Sequence, residues 1–215
     1  MKFWFYLALC ALTTACTATP LSPSVWSDAE IRAQLVATNL NHPTTGARGR
    51  LTRWRVPIEV NTNGIARAAE AVRRVEQWSG GTIRFTSVSG VPAQGIVFVE
   101  GGATAQDSTA ACVNLTDVPP DTPSGTLALR WDSSSAIVGA YTIRLGSDRC
   151  VDTREGDYES AYAEHILGHA LGVFDHFVGF TGVEGMTDAH AFGVLVNLYA
   201  NPIGATAQEL QTWPR

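Results

Sequence analysis

The chain has 215 residues, 45% of them hydrophobic and 16% charged, with 15 basic residues against 20 acidic ones for a formal net charge of −5. That length suffices for one domain with a sizeable core, and the hydrophobic share is that of a globular protein rather than a disordered one. The acidic balance argues against nucleic acid as a partner, which would favour a basic face.

The first residues read as an export signal. Lys2 supplies a positive charge, Phe3 to Leu12 form an apolar run, and Thr13-Thr14-Ala15-Cys16 make a small-residue processing site. The run is far shorter than the ~20 residues needed to span a bilayer. Ala15-Cys16 resembles a bacterial lipobox, which implies cleavage before Cys16 and lipidation of that residue. Thr13 stands where leucine is usual in that motif, and cleavage after Ala18 is the alternative. Residues 1–15 are thus expected to be a signal peptide, 16–48 a lipidated N-terminus and tether, and 49–215 the folded domain. Removing the signal takes away the only lysine and leaves 14 arginines against 20 acids, a net of −6.

Within the tether, composition rich in Thr, Ser, Pro, Ala and Asn leaves room for a short helix near Ala29 to Val36. Trp54, Val56, Ile58 and Val60 alternate with Arg55, Pro57 and Glu59, which is strand periodicity, with Pro57 marking an edge or a bend. After the turn signal Asn61-Thr62-Asn63-Gly64, the residues Ile65, Ala68, Val72 and Val75 recur at helical spacing and predict a helix to about Trp78, stopped by Gly80-Gly81. Short strands are expected around Thr82 to Ser87 and Gly95 to Glu100. Gly101 to Ser124 reads as a long loop carrying Cys112. Ala136 to Leu145 alternates again, with Ile137, Tyr141, Ile143 and Leu145 on one face. Asp157 to Leu171 predicts a helix, and Ala191, Val194, Leu195 and Leu198 mark a last one, closed by Asn201-Pro202.

Cys10 belongs to the signal and Cys16 to the anchor. The remaining pair, Cys112 and Cys150, is expected to form a disulfide in an oxidising compartment. Neither has a histidine nearby in sequence, which disfavours a nucleophilic role.

The helix over 157–171 carries the chemistry. His165 and His169 are four residues apart, on one helical face about one turn from each other, the spacing a tetrahedral Zn²⁺ needs from two nitrogen ligands. At 100° per residue they lie about 40° apart, while Ala163, Leu167, Ala170 and Leu171 form an apolar back. Gly172 can end the helix and reverse the chain, letting Asp175 or His176 swing back as a third ligand. Ile166 lies beside the apolar stripe. Glu164 lies on the wrong flank and is a weak candidate for a general base. Glu184 and Asp188 cannot be placed from sequence.

The run from His165 through His169 and Gly172 to Asp175, with Met186 downstream, resembles the long zinc motif of metzincin metallopeptidases, and its closing aspartate is similar to the snapalysin-like branch. The resemblance implies an α+β zincin fold: a twisted, mostly parallel sheet with an edge strand, an active-site helix and a Met-turn at Met186. It implies Zn²⁺ held by His165, His169 and Asp175, with His176 as the alternative third ligand. It places the Trp131 to Leu145 region as the edge strand along which a substrate peptide lies. The general-base glutamate of the family is replaced by Ile166, so zinc-assisted peptide hydrolysis is expected to be weak or lost, losing a positioned base costing about 10²- to 10⁴-fold in rate. The alternative is a non-catalytic, zinc-stabilised module that binds peptides or cell-envelope proteins. Either way the expected location is the bacterial cell envelope, with the membrane reached through the lipid anchor. The sequence does not set the oligomeric state.

Overall fold

The local sequence explains where each element begins and ends. A computed structural model describes residues 26–41, 49–100, 113–114, 129–145, 158–177, 179–180 and 189–213. Helix α1 (Asp28–Leu35) opens on a capping box, in which Ser27 Oγ accepts from the Glu30 amide and Glu30 Oε2 accepts from the Ser27 amide at 2.7 Å. It runs on into a π-turn over Val36–Leu40. Strand β1 (Ile58–Asn61) follows a cis Val56–Pro57 bond. Helix α2 (Ala66–Trp78) then leads to β2 (Phe85–Ser87) and β3 (Gly95–Glu100). The later strands are β4 (Val113–Asn114), β5 (Arg130–Trp131), β6 (Ile137–Val138) and β7 (Ala140–Leu145). Helices α3 (Tyr158–Ala170) and α4 (Ala189–Ala200) complete the chain.

Five strands form one sheet in the order β2-β1-β3-β7-β4. The first four are parallel, and β4 runs antiparallel to β7, with Val113 opposite Leu145 and Asn114 opposite Arg144. Parallel strands buried by crossover helices are mostly apolar, as β3 is with Gly95 to Phe98 all buried. The alternation expected over 136–145 is interrupted at Gly139, whose φ of +84° breaks the stretch into β6 and β7. Strand β6 pairs instead with β5 in a separate two-stranded sheet.

Two expectations change here. The Trp131 to Leu145 region is not the sheet's edge: its β7 portion lies between β3 and β4, and among the described residues the edge on that side is β4, in a stretch expected to be loop. The other change concerns the expected tether. Ile31, Leu35 and Leu40 are buried in the same apolar core as the sheet, and α1 packs on α4, so residues 26–41 are part of the folded unit. Each such side chain contributes about 1.5–3 kcal/mol when fully buried.

The C-terminal half of helix α3 is enclosed. Every residue from Ala163 to Ala170 is buried, against α2 on one flank and β7 on another. Among the described residues no helix is long and apolar enough to cross a membrane.

Candidate metal centre

The C-terminal end of α3 is where the site is built, and its geometry begins with a Schellman turn. Gly172, at φ +116°, donates its amide to the His169 carbonyl at 3.0 Å, and Val173 donates to the Gly168 carbonyl at 3.1 Å. A side chain at Gly172 would not fit: a Cβ there would stand 2.9 Å from the Thr52 carbonyl oxygen and 3.1 Å from Leu198.

Helix ends leave orphan carbonyls, and here each has a donor. Trp54 Nε1 donates to Ala170 O at 2.7 Å, and the Tyr199 hydroxyl to Leu171 O at 3.0 Å. Asn39 Nδ2 donates to Gly172 O at 2.7 Å. The next carbonyl, Val173 O, lies 2.6 Å from His169 Nδ1. A carbonyl oxygen can only accept, so Nδ1 carries the proton and, in the neutral ring, Nε2 presents a lone pair. Ligating histidines are oriented in this way by a partner on the other ring nitrogen.

That lone pair points into a triangle. His165 Nε2 and His169 Nε2 are 3.1 Å apart, and His176 Nε2 lies 3.2 Å from each. Three ring nitrogens cannot satisfy one another at such range. Each either donates or accepts, so at least one side of the triangle pairs like with like. A further proton does not resolve the conflict, since it only turns an acceptor into a donor and three sides still cannot all pair donor with acceptor. At His165 burial, reinforced by the two neighbouring imidazoles, also pushes the pKa down to about 3. A cation at the apex does resolve it. Tetrahedral bonds of about 2.0–2.1 Å place ligand nitrogens about 3.3 Å apart, close to the observed edges. The donor set fits zinc, and three imidazoles with no hard oxygen donor in the cluster among the described residues are a poor match for calcium or magnesium.

His176, the alternative third ligand, is the residue that joins His165 and His169 in a cluster that could hold a metal ion, and Asp175 is not part of that cluster. Asp175 is exposed, and its Oδ1 accepts the His176 amide at 2.8 Å, whereas the ligand-competent cluster comprises His165, His169 and His176. The Schellman turn explains the shift by one residue. After Val173 the chain is caught by a bond from the Phe174 amide to Thr38 O at 2.9 Å, and beyond it the ring of His176, itself exposed, reaches the two buried histidines while Asp175 does not.

Phe180, fully buried, packs against the three imidazoles. It stacks on His165 with ring centres 4.6 Å apart, meets His169 edge-on at 4.9 Å, and lies 6.0 Å from His176. Sequence reading did not single it out. The only hint is its spacing from Phe177, with which it closes a backbone bridge, and that pattern has no periodicity to betray it.

Ile166, at the position of the family's general base, is buried in the apolar core at 2% exposure. Glu164 does not replace it. Its carboxylate faces α2, with Oε2 3.3 Å from Arg74 Nε in a contact that lacks hydrogen-bond alignment. Burial pushes Glu164 up to about 7 against the opposing pull of Arg74. Met186, Glu184 and Asp188 lie outside the described residues, as do Cys16, Cys112 and Cys150 with the expected lipidation and disulfide.

No protein-family model matches the chain, and no curated protein or solved structure does either. The geometry of the site therefore carries the functional reading.

Proposed function

We propose that this chain is an exported, lipid-anchored zinc-binding protein of metzincin-like design in which peptide-bond hydrolysis is weak or lost. The observation that carries the proposal is the triangle of three Nε2 atoms with 3.1–3.2 Å edges, whose mutual contacts make chemical sense around a cation. His165 and His169 would hold Zn²⁺ from α3 and His176 from the loop after it. Bound there, zinc would act as a Lewis acid toward a carbonyl and toward water.

The protein's own residues limit that chemistry. Hydrolysis of an amide needs a group to take the proton from the attacking water. Ile166 cannot do so, and Glu164 is turned toward Arg74. A zinc site with Ile166 at the base position also suits the second reading, a module that captures extended peptides by strand addition without cutting them. Retention of all three imidazoles beside a buried isoleucine favours this reading over a working peptidase.

The test is metal analysis of the purified protein, with a peptide-cleavage assay of wild type and Ile166→Glu. One equivalent of zinc in both, with cleavage confined to the variant, supports the proposal. Rapid cleavage by the wild type contradicts the loss of hydrolysis, and absence of bound zinc contradicts the site.

A further inference from the structure

The loop that delivers His176 is held by a segment that supplies no ligand. Asn39, buried in the π-turn after α1, binds three backbone groups. Its Nδ2 donates to Gly172 O at 2.7 Å and to Thr52 O at 2.8 Å, and its Oδ1 accepts the Thr52 amide at 2.8 Å. Its neighbour Thr38 accepts the Phe174 amide at 2.9 Å. At the other end of the same segment, Trp26 lies against Phe177 with ring centres 5.5 Å apart and stacks on His190 at 4.6 Å. The chain from 172 to 177 is thus gripped at 172 and 174 by the π-turn and at 177 by Trp26, with His176 in between.

His165 and His169 are presented by α3 itself, although the loop also reaches His169, whose Nδ1 donates to Val173 O between the two points gripped by the π-turn. The third corner of the triangle is the one whose own chain the clamp holds.

We infer that residues 26–41 form a clamp that positions His176, with Asn39 as its principal positioning residue, so that metal occupancy and docking of this segment are coupled. The inference rests on the reading that the three histidines hold zinc. Coupling of this kind is reciprocal: if docking raises affinity by some factor, the metal stabilises docking by the same factor. The segment lies within the stretch 16–48 expected to carry the lipid anchor and tether, so the coupling would link the anchored end of the protein to the state of its metal site.

The experiment uses the full mature chain and Zn²⁺ alone as the probe. Zinc affinity is measured by competition with a chromophoric chelator for wild type, Asn39→Ala, Trp26→Ala and, as a control, Asn61→Ala. Asn61 bonds to Asn63 and Gly90 and takes no part in the clamp. Hydrogen exchange of amides 28–40 is followed in the wild type with zinc and after chelation. The expected result is zinc binding weakened by about 10–100-fold in Asn39→Ala, as for other residues that orient a ligand, by less in Trp26→Ala, and not at all in the control. Exchange over 28–40 slows when zinc is present. Should Asn39→Ala fail to fold, Trp26→Ala and wild-type exchange decide the matter. Wild type that binds zinc, with Trp26→Ala unaffected and exchange over 28–40 indifferent to the metal, overturns the clamp alone. Wild type that does not bind zinc overturns the metal site and the clamp with it.

Discussion

A hydrogen bond of 2.6 Å from His169 Nδ1 to the carbonyl oxygen of Val173 joins the helix that carries His165 and His169 to the loop that carries His176. It depends on the chain reversing at Gly172, and in the neutral ring it sets the tautomer whose Nε2 presents a lone pair. Turn geometry and ligand chemistry are therefore one structural unit here.

Gly172→Ala tests that unit. The added Cβ meets the Thr52 carbonyl, Leu198 and Asn39 at 2.9–3.2 Å, in a backbone conformation that L-residues rarely adopt. A loss of about 2–4 kcal/mol is expected from strain and displaced packing, measured by chemical denaturation, together with weaker zinc binding.

Tyr199→Phe separates the helix cap from the metal. It removes the donor to Leu171 O, a buried bond of 3.0 Å, without changing shape. Stability should fall by about 1–3 kcal/mol, the cost of a buried acceptor left without its partner. Zinc stoichiometry should stay at one, as read by metal analysis after dialysis.

The strand–helix–strand order was legible because periodicity reports burial. Val75, Tyr141 and Leu167 sit in the core as their spacing suggested. The histidine pair was legible for the same reason, since a helix converts a spacing of four into a shared face. What sequence concealed was set by tertiary contacts. Choosing His176 over Asp175 required the bond from Phe174 to Thr38, which joins segments far apart in the chain. Residues 26–41 were read as tether because the wider stretch to residue 48 is rich in Thr, Ser, Pro, Ala and Asn, although Ile31, Leu35 and Leu40 are buried in the core. Strand β4 was hidden by its two-residue length, too short for any alternation to register.

Phe180→Leu probes the aromatic wall of the site. The ring's contacts with three imidazoles are lost, at about 0.5–1.5 kcal/mol for each good aromatic pair. The variant should melt at lower temperature, and Co²⁺ substituted for zinc should show altered visible absorption, because the imidazoles lose the surface that fixes their angles.

Acid should loosen the β5–β6 hairpin through Asp132. Its carboxylate accepts from the Ser134 hydroxyl at 2.6 Å, the Ser134 amide at 2.8 Å and Arg55 at 2.8 Å, and these bonds hold it well below the usual carboxylate range, the Ser134 hydroxyl contributing most. A depressed folded-state pKa stabilises above the unfolded value of about 3.9, and that stabilisation is lost as pH falls below it. Wild type should therefore exceed Asp132→Asn in urea resistance at pH 6, and the gap should narrow as pH is lowered from about 4 toward 2.

The most direct measurement is zinc affinity by calorimetry for wild type, His176→Ala and Asp175→Ala. Three converging imidazoles predict one tight site in the wild type, a loss of about 100-fold or more in His176→Ala, and little change in Asp175→Ala. Equal binding by wild type and His176→Ala, or collapse of binding in Asp175→Ala alone, would contradict the three-histidine site.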